Sequence, residues 1–517
     1  MPKPAILALI AISFAAAPSY AQSACEKLAA EHFPAITIIS AVEHPGGPFA
    51  MPGAKPNAAP VTLPAFCRVA GIVGTELRFE VWMPARWNNK LVSVGNGGLA
   101  GTISYSAMVK PLEAGYATSS TDTGHVNAGS GDGTWALGHY DRIVNFADLG
   151  THLLAEASKI IVAAFYGGKP DHSYFNGCSQ GGHEALIEAQ RHPEDYDGIV
   201  AGDPANYWTH HYVGGHLWAG IATEGDAYIP ATKVPILADA VNNACDMLDG
   251  VKDGVLSDPR RCHFDPKKLL CAGPDTSACL TAPQVSAVEK LWAGLKTEDG
   301  RQIWPGLMPG GEAGPGGWAN WITGTGPGRG GHLNLGIPFF KFFVFDNPNW
   351  DYRTFRFEPS NGFDSDIAYL DSEFGALFNA INPDLRAFRA RGGKMIQYHG
   401  WSDPDITPLN SINYYESVEK TMGPGTPDFY RLFMVPGMQH CSGGPGATTF
   451  DMLQALDNWK TKGIIPDSVL ASKVTNGVVT RTRPLCAYPK EAKWKGSGST
   501  DSAENFDCAA PESPANR

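Results

Sequence analysis

Residues 172–193, "HSYFNGCSQGGHEALIEAQRHP", pass from a short strand-like run through a cluster of small residues into a helical pattern. A strand that turns directly into a helix through Gly177-Cys178-Ser179-Gln180-Gly181 fits few architectures. The G-x-S-x-G spacing sets a serine on a strained turn that its small glycines permit. A serine hydroxyl is a weak nucleophile until a neighbouring base takes its proton, and it must protrude from the backbone to reach a carbonyl. Ser179 is therefore the candidate nucleophile.

The flanking sequence carries the same alternation. "TELRFEVWMP" and "KLVSVGNGG" read as strands, "FADLGTHLLAEASKIIVAAFYG" as a helix and "DGIVAGDPA" as an apolar run. Strands alternating with helices imply an α/β fold, a parallel sheet with helices on both faces. After about Asn206 the character changes. As far as about Leu385 the chain is rich in Gly, Pro, Trp and Phe, with little β-α alternation, and we read residues 206–385 as an inserted lid domain. The α/β pattern resumes at "GGKMIQYHGW" and "FYRLFMVPGMQH", so the catalytic domain comprises residues 22–205 and 386–517.

Each resumed strand ends in a polar loop. "WSDPDITP" offers Asp403 or Asp405 as the acid, with Asp403, three residues beyond Gly400, preferred, and "MQHCSGG" offers His440 as the base. Serine, acid, histidine is the chain order of α/β-hydrolases. A developing oxyanion would find one donor in the N–H of Gln180 and a second in Gly97 or Gly98 of "VGNGGLAG". Cys178 precedes the serine and Cys441 follows the histidine, so a bond between them would staple the two loops together.

The ten cysteines bear on compartment. "MPKPAILALIAISFAAAPSYAQ" sets Lys3 before an apolar stretch too short to span a bilayer comfortably and closes on Ser19-Tyr20-Ala21, which reads as a secretory signal cleaved after Ala21. An exported chain, periplasmic or secreted, with an even cysteine count and no C-x-x-C pair favours disulfides over zinc. A formal charge of -12 without a basic run argues against a nucleic-acid partner, and no later segment is apolar enough to cross a membrane. "CDMLDGVKDGV" clusters Asp246, Asp249 and Asp253 in a glycine-containing loop, a set of oxygen ligands suited to calcium. Its spacing departs from an EF-hand, and a turn-rich acidic loop fits it as readily.

"GCSQGGHEAL", "HGWSDPDITP" and "GMQHC", in this order and with a long insertion between the first two, resemble the tannase and feruloyl esterase family over most of the mature chain. The resemblance implies an α/β-hydrolase fold with a lid, a Ser179–Asp403–His440 triad and a disulfide from Cys178 to Cys441. It also implies pairs Cys25–Cys67, Cys245–Cys262, Cys271–Cys279 and Cys486–Cys508, and a structural calcium held by Asp246, Asp249, Asp253 and the carbonyls of Val251 and Val255. The substrate it implies is a small aromatic ester, hydroxycinnamoyl or galloyl, cleaved through an acyl-enzyme. The family's monohydroxyethyl terephthalate hydrolases hold a substrate carboxylate with a lid arginine; between Arg356 and Arg386 this chain has neither Lys nor Arg, which weighs against that activity. Lid aromatics Trp318, Trp321, Phe339, Phe340, Trp350 and Tyr352 favour an aromatic acyl group weakly, with Trp318, Trp321 and Trp350 as pocket candidates. From another class, a calcium-dependent binding module on a decayed hydrolase scaffold would keep the fold without turnover.

Overall fold

The computed structural model describes residues 23–127, 129–357 and 365–511. Residues 1–21, expected from the sequence to be a secretory signal, lie outside them. Nine strands form the central sheet: β1 (Ile36–His44), β2 (Phe66–Val73), β3 (Leu77–Pro84), β4 (Lys90–Val94), β5 (Ala117–Thr121), β6 (His172–Cys178), β7 (Gly198–Gly202), β8 (Lys394–Gly400) and β9 (Tyr430–Val435). Their spatial order is β1-β2-β3-β5-β4-β6-β7-β8-β9.

The sheet is mixed, which corrects the expectation of a parallel one. From β5 to β9 every neighbouring pair is parallel, whereas β1/β2, β2/β3 and β3/β5 are antiparallel. The reason is local: only residues 74–76 join β2 to β3, too short a link for a parallel crossover. The parallel part follows from its sequence, because successive residues of a strand point to opposite faces. Tyr174, Val200, Ile396 and Phe433 enter one apolar layer, which Leu456 and Trp459 of the helix Met452–Lys462 cover. Their neighbours Phe175, Ile199, Met395 and Leu432 enter the other, against Leu186 of the helix Gln180–Arg191 and Tyr415 of the helix Pro408–Met422.

Between β7 and β8 the described residues add no strand to this sheet. They form short helices and one small hairpin, Leu295–Lys296 with Gln302–Trp304. Trp208, Tyr212, Trp304, Trp318 and Phe339 of this insertion pack in one cluster with Trp135 and Phe146 of the α/β half, so the two halves share a core. All five cysteine pairs form: Cys25–Cys67, Cys178–Cys441, Cys245–Cys262, Cys271–Cys279 and Cys486–Cys508. The last ties two C-terminal hairpins, Ser468–Thr475 with Val478–Cys486 and Glu491–Trp494 with Phe506–Ala509. No helix among the described residues is long and apolar enough to cross a membrane.

Candidate active site

β6 ends at Cys178 and a helix begins at Gln180, which leaves Ser179 alone on the turn with φ 66° and ψ -121°. A positive φ strains a non-glycine residue, and such strain persists only where the surroundings enforce it. Here they do. Ser179 N–H donates to the Gly202 carbonyl at 3.0 Å and Gly181 N–H to the Asn96 carbonyl at 2.9 Å. A Cβ on Gly177 would lie 2.3 Å from the Gly181 oxygen, and one on Gly182 2.2 Å from the Gly202 oxygen. The elbow is as tight as its backbone allows.

Two further sheet strands, β8 and β9, deliver the remaining groups. Ser179 Oγ–H donates to His440 Nε2 at 2.9 Å, and His440 Nδ1–H donates to Asp403 Oδ2 at 2.8 Å. Asp403 Oδ1 accepts from the N–H groups of Asp405 and Ile406, at 2.8 and 3.0 Å, which fixes the carboxylate behind the ring. Of the two candidate acids it is thus Asp403 that meets Nδ1. Asp405 turns the other way: its Oδ1 accepts His216 Nε2–H at 2.9 Å, while Oδ2 stands 3.6 Å from His440 Nε2. The Cys178–Cys441 bridge, with Cα atoms 6.0 Å apart, joins the residues beside Ser179 and His440.

Asp203, absent from the sequence reading, stands beneath this arrangement with no exposed side-chain surface. Its Oδ1 accepts Gly400 N–H at 2.6 Å, its Oδ2 accepts Cys441 N–H at 2.7 Å, and Cys178 Sγ lies 3.4 Å from Oδ2. One carboxylate at the end of β7 therefore ties together the acid loop, the histidine loop and the disulfide. Burial pushes the Asp203 carboxyl up to about 6, with His399 opposing. Burial also opposes charge on His440, yet Asp403, then Asp405 and Asp203, raise its pKa to about 10. The histidine sits in a field of three carboxylates, and its affinity for a proton is correspondingly high.

Gln180 opens its helix, so its N–H is one of the first-turn donors that a helix leaves without an internal partner. Gly97 and Gly98 lie on the loop after β4, pinned to the elbow through Asn96, whose N–H donates to Glu184 Oε2 at 2.9 Å. Gly98 needs to be glycine: its φ is +57°, and a Cβ would meet the Ser130 oxygen at 2.5 Å.

The lid aromatics divide. The Trp321 ring stands edge-on to His440, with centroids 5.3 Å apart. Trp318, Phe339 and Phe340 are completely buried, and Trp350 packs on Phe340 and Phe345, so these belong to the core of the insertion. Tyr352 bonds Glu224. Of the three tryptophans expected at the pocket, Trp321 thus stands beside the histidine, while Trp318 and Trp350 pack within the insertion. Aromatic composition does not encode which face of a short helix meets the core.

In the acidic loop, Asp246 Oδ1 accepts from the N–H groups of Asp253 and Gly254, at 3.2 and 2.9 Å. Asp249 Oδ1 accepts from Val251 N–H at 2.8 Å, and Asp253 pairs with Arg483 at 2.7 Å and Arg481 at 3.2 Å. Burial raises the carboxyls of Asp249 and Asp253, and their mutual repulsion with Asp246 adds to it. The donor set is all oxygen, which fits a hard dication, although two arginines already offset Asp253 and the three carboxylates do not converge within 4.8 Å among the described residues.

A sheet of this order, with a strained serine between strand and helix and a histidine and an aspartate on later strand-end loops, is the α/β-hydrolase arrangement. The chain belongs to the tannase and feruloyl esterase family, whose model matches residues 62–509. It is accordingly a carboxylic ester hydrolase. It is 40% identical to an uncharacterized esterase of Xanthomonas campestris, over 94% of this chain and 91% of that one. It is 35% identical to the mono(2-hydroxyethyl) terephthalate hydrolase of Piscinibacter sakaiensis, over 88% and 87%. The crystal structure of feruloyl esterase B from Aspergillus oryzae superposes with a TM-score of 0.84 at 28% identity, covering 94% of this chain and 99% of that one.

Proposed function

We propose that this protein hydrolyses esters of small aromatic acids, hydroxycinnamoyl or galloyl, with Ser179 as nucleophile, His440 as base and Asp403 as the orienting acid. The observation that carries the reading is the continuous chain of hydrogen bonds from Ser179 Oγ through His440 to Asp403. His440 Nε2 takes the serine proton as Oγ attacks the carbonyl carbon, and the proton then passes to the departing alcohol. Asp403 holds the ring and offsets the imidazolium charge. The N–H groups of Gln180 and of Gly97 or Gly98 receive the oxyanion. Water, deprotonated by the same histidine, cleaves the acyl-enzyme. Residues 206–385 act as the lid, and Trp321 supplies an aromatic wall beside His440.

Kinetics on methyl ferulate, methyl gallate, chlorogenate, a terephthalate monoester and an aliphatic methyl ester test the substrate class. An aromatic acyl group is expected to raise kcat/KM about 5-fold over the aliphatic one, since stacking against aromatic walls contributes of order 1 kcal/mol. Equal values would contradict the assignment. The terephthalate monoester is the second reading, favoured by the 35% identity to a hydrolase of that name and disfavoured by the missing lid cation.

We further propose export with loss of residues 1–21, which suits a chain with five disulfides. A structural calcium ion would be held by Asp246, Asp249, Asp253 and the carbonyls of Val251 and Val255. It would supply charge compensation to a buried acidic loop and take no part in the chemistry. Chelation is expected to lower the melting temperature by several degrees, since an ion at 100 times its Kd contributes about 2.7 kcal/mol. Calcium should restore it; a melting curve indifferent to both would contradict the site.

A further inference from the structure

Two carboxylates of one loop approach His440, one at each ring nitrogen. Asp403 Oδ2 lies 2.8 Å from Nδ1 and Asp405 Oδ2 lies 3.6 Å from Nε2. The second approach is a hazard, because Nε2 must be free to accept the Ser179 proton and later to pass it on. An imidazolium bonded directly to carboxylates at both nitrogens would hold its proton and leave Ser179 without a base.

What keeps Asp405 back is its other oxygen. Oδ1 accepts His216 Nε2–H at 2.9 Å, and His216 stands in the insertion, on the segment His211–Trp218, 189 residues away in sequence. The His216 ring is 1% exposed, and its Cβ lies 3.0 Å from where a Cβ on Gly336 would sit, so neighbouring backbone fixes its position. A second insertion histidine, His332, donates Nε2–H to the Pro404 carbonyl at 2.9 Å and secures the same stretch of loop. The insertion thus grips the acid loop at two successive residues.

We propose that His216 is a positioning residue that holds Asp405 off Nε2 of His440, so that the insertion sets the basicity of the histidine at the reaction centre. The inference rests on the serine mechanism above and adds to it a control that the triad alone does not contain. The charged and titratable groups involved are few. Asp403, Asp405 and Asp203 act on His440, while His216, His211 and His332 face Asp405 from the insertion and His399 joins Asp203 to Asp403 from β8. Removing Asp405's charge would lower the pKa of His440. Removing the His216 donor would free Asp405 to turn toward Nε2 and raise it.

The test is the acid limb of kcat/KM against pH, from about pH 5 to about 11, for wild type, His216→Leu, His216→Gln, Asp405→Asn and the His216→Leu/Asp405→Asn double variant. The wild-type limb should lie above 6.5, the ordinary histidine value. His216→Leu should move it up by roughly one unit, a loss of about tenfold at neutral pH that alkaline pH recovers. His216→Gln, which keeps an N–H donor, should stay close to wild type, and Asp405→Asn should move the limb down. In the Asp405→Asn background His216→Leu should add no shift. A purely structural role for His216 would instead lower the rate equally at every pH. An unmoved limb in His216→Leu, or the same shift in the double variant, overturns the inference. Should His216→Leu fail to fold, Asp405→Asn decides alone, and an unmoved limb overturns it. Ser179→Ala, assayed alongside, separates the two levels: retained turnover there would overturn the serine mechanism itself, whereas an inactive Ser179→Ala with unmoved limbs would overturn only the role of His216.

Discussion

Ser179→Ala is expected to reduce kcat on an activated aromatic ester by about 10⁵-fold while leaving the fold and the melting temperature nearly unchanged. The magnitude follows from what the substitution removes. Without Oγ no acyl-enzyme forms, and the remaining rate comes from the oxyanion donors and from binding alone. The fold should gain slightly if anything, because Ser179 is held at φ 66° by contacts that an alanine would also satisfy. Stopped-flow kinetics read the effect directly: a burst of alcohol in wild type and none in the variant. Equal rates in the two proteins would favour a binding module on an inactive scaffold.

The second large effect is expected from the Cys178–Cys441 bridge. It closes a loop of 263 residues, and the chain-entropy account puts its contribution at no more than about 5 kcal/mol, less here because four other bridges already restrict the unfolded chain. Its local role is distinct from its global one. Cys178 and Cys441 flank the two residues whose side chains meet at 2.9 Å, and Cys441 itself sits at φ 61°. The paired variant Cys178→Ala/Cys441→Ala should let the histidine loop relax, and a misplacement of about 1 Å costs about 10²-fold in rate. We expect kcat to fall by that factor at temperatures where circular dichroism still reports a folded sheet, with KM changing little. Asp203 would retain part of the alignment, since its carboxylate holds Cys441 N–H at 2.7 Å and Gly400 N–H at 2.6 Å without the bridge. Unchanged turnover in the folded variant would contradict the orienting role.

The parts of this site that could be read from the chain are those whose chemistry is local. Strand, small residues, serine and helix are contiguous, so the elbow was visible in "HSYFNGCSQGGHEAL". Asp403 and His440 each stand just past an apolar strand, and chain order gives an acid of that loop and the histidine their parts, whereas the choice of Asp403 over Asp405 rests on its contact with His440 Nδ1. The antiparallel edge of the sheet was hidden, because a strand's direction depends on which neighbour it joins, and only the three-residue link from β2 to β3 betrays it. Asp203 was missed because its three contacts come from residues 25, 197 and 238 positions away. In sequence it is an acid in "AGDPA" like any other. The same holds for His216 and Asp405, and for the choice between Trp321 and its buried neighbour Trp318. Composition counts aromatic rings and acids but does not say which of them converge.

Everything turns on whether an acyl group is transferred to Ser179. The most direct measurement is the mass of the intact protein quenched in acid within the burst phase, followed by peptide mapping, with an activated hydroxycinnamoyl ester as substrate. A single added acyl group on the peptide carrying Ser179, absent from Ser179→Ala and from His440→Ala, is the predicted result. Full turnover with no adduct at Ser179, or an adduct elsewhere that forms and decays at the rate of turnover, would contradict the account.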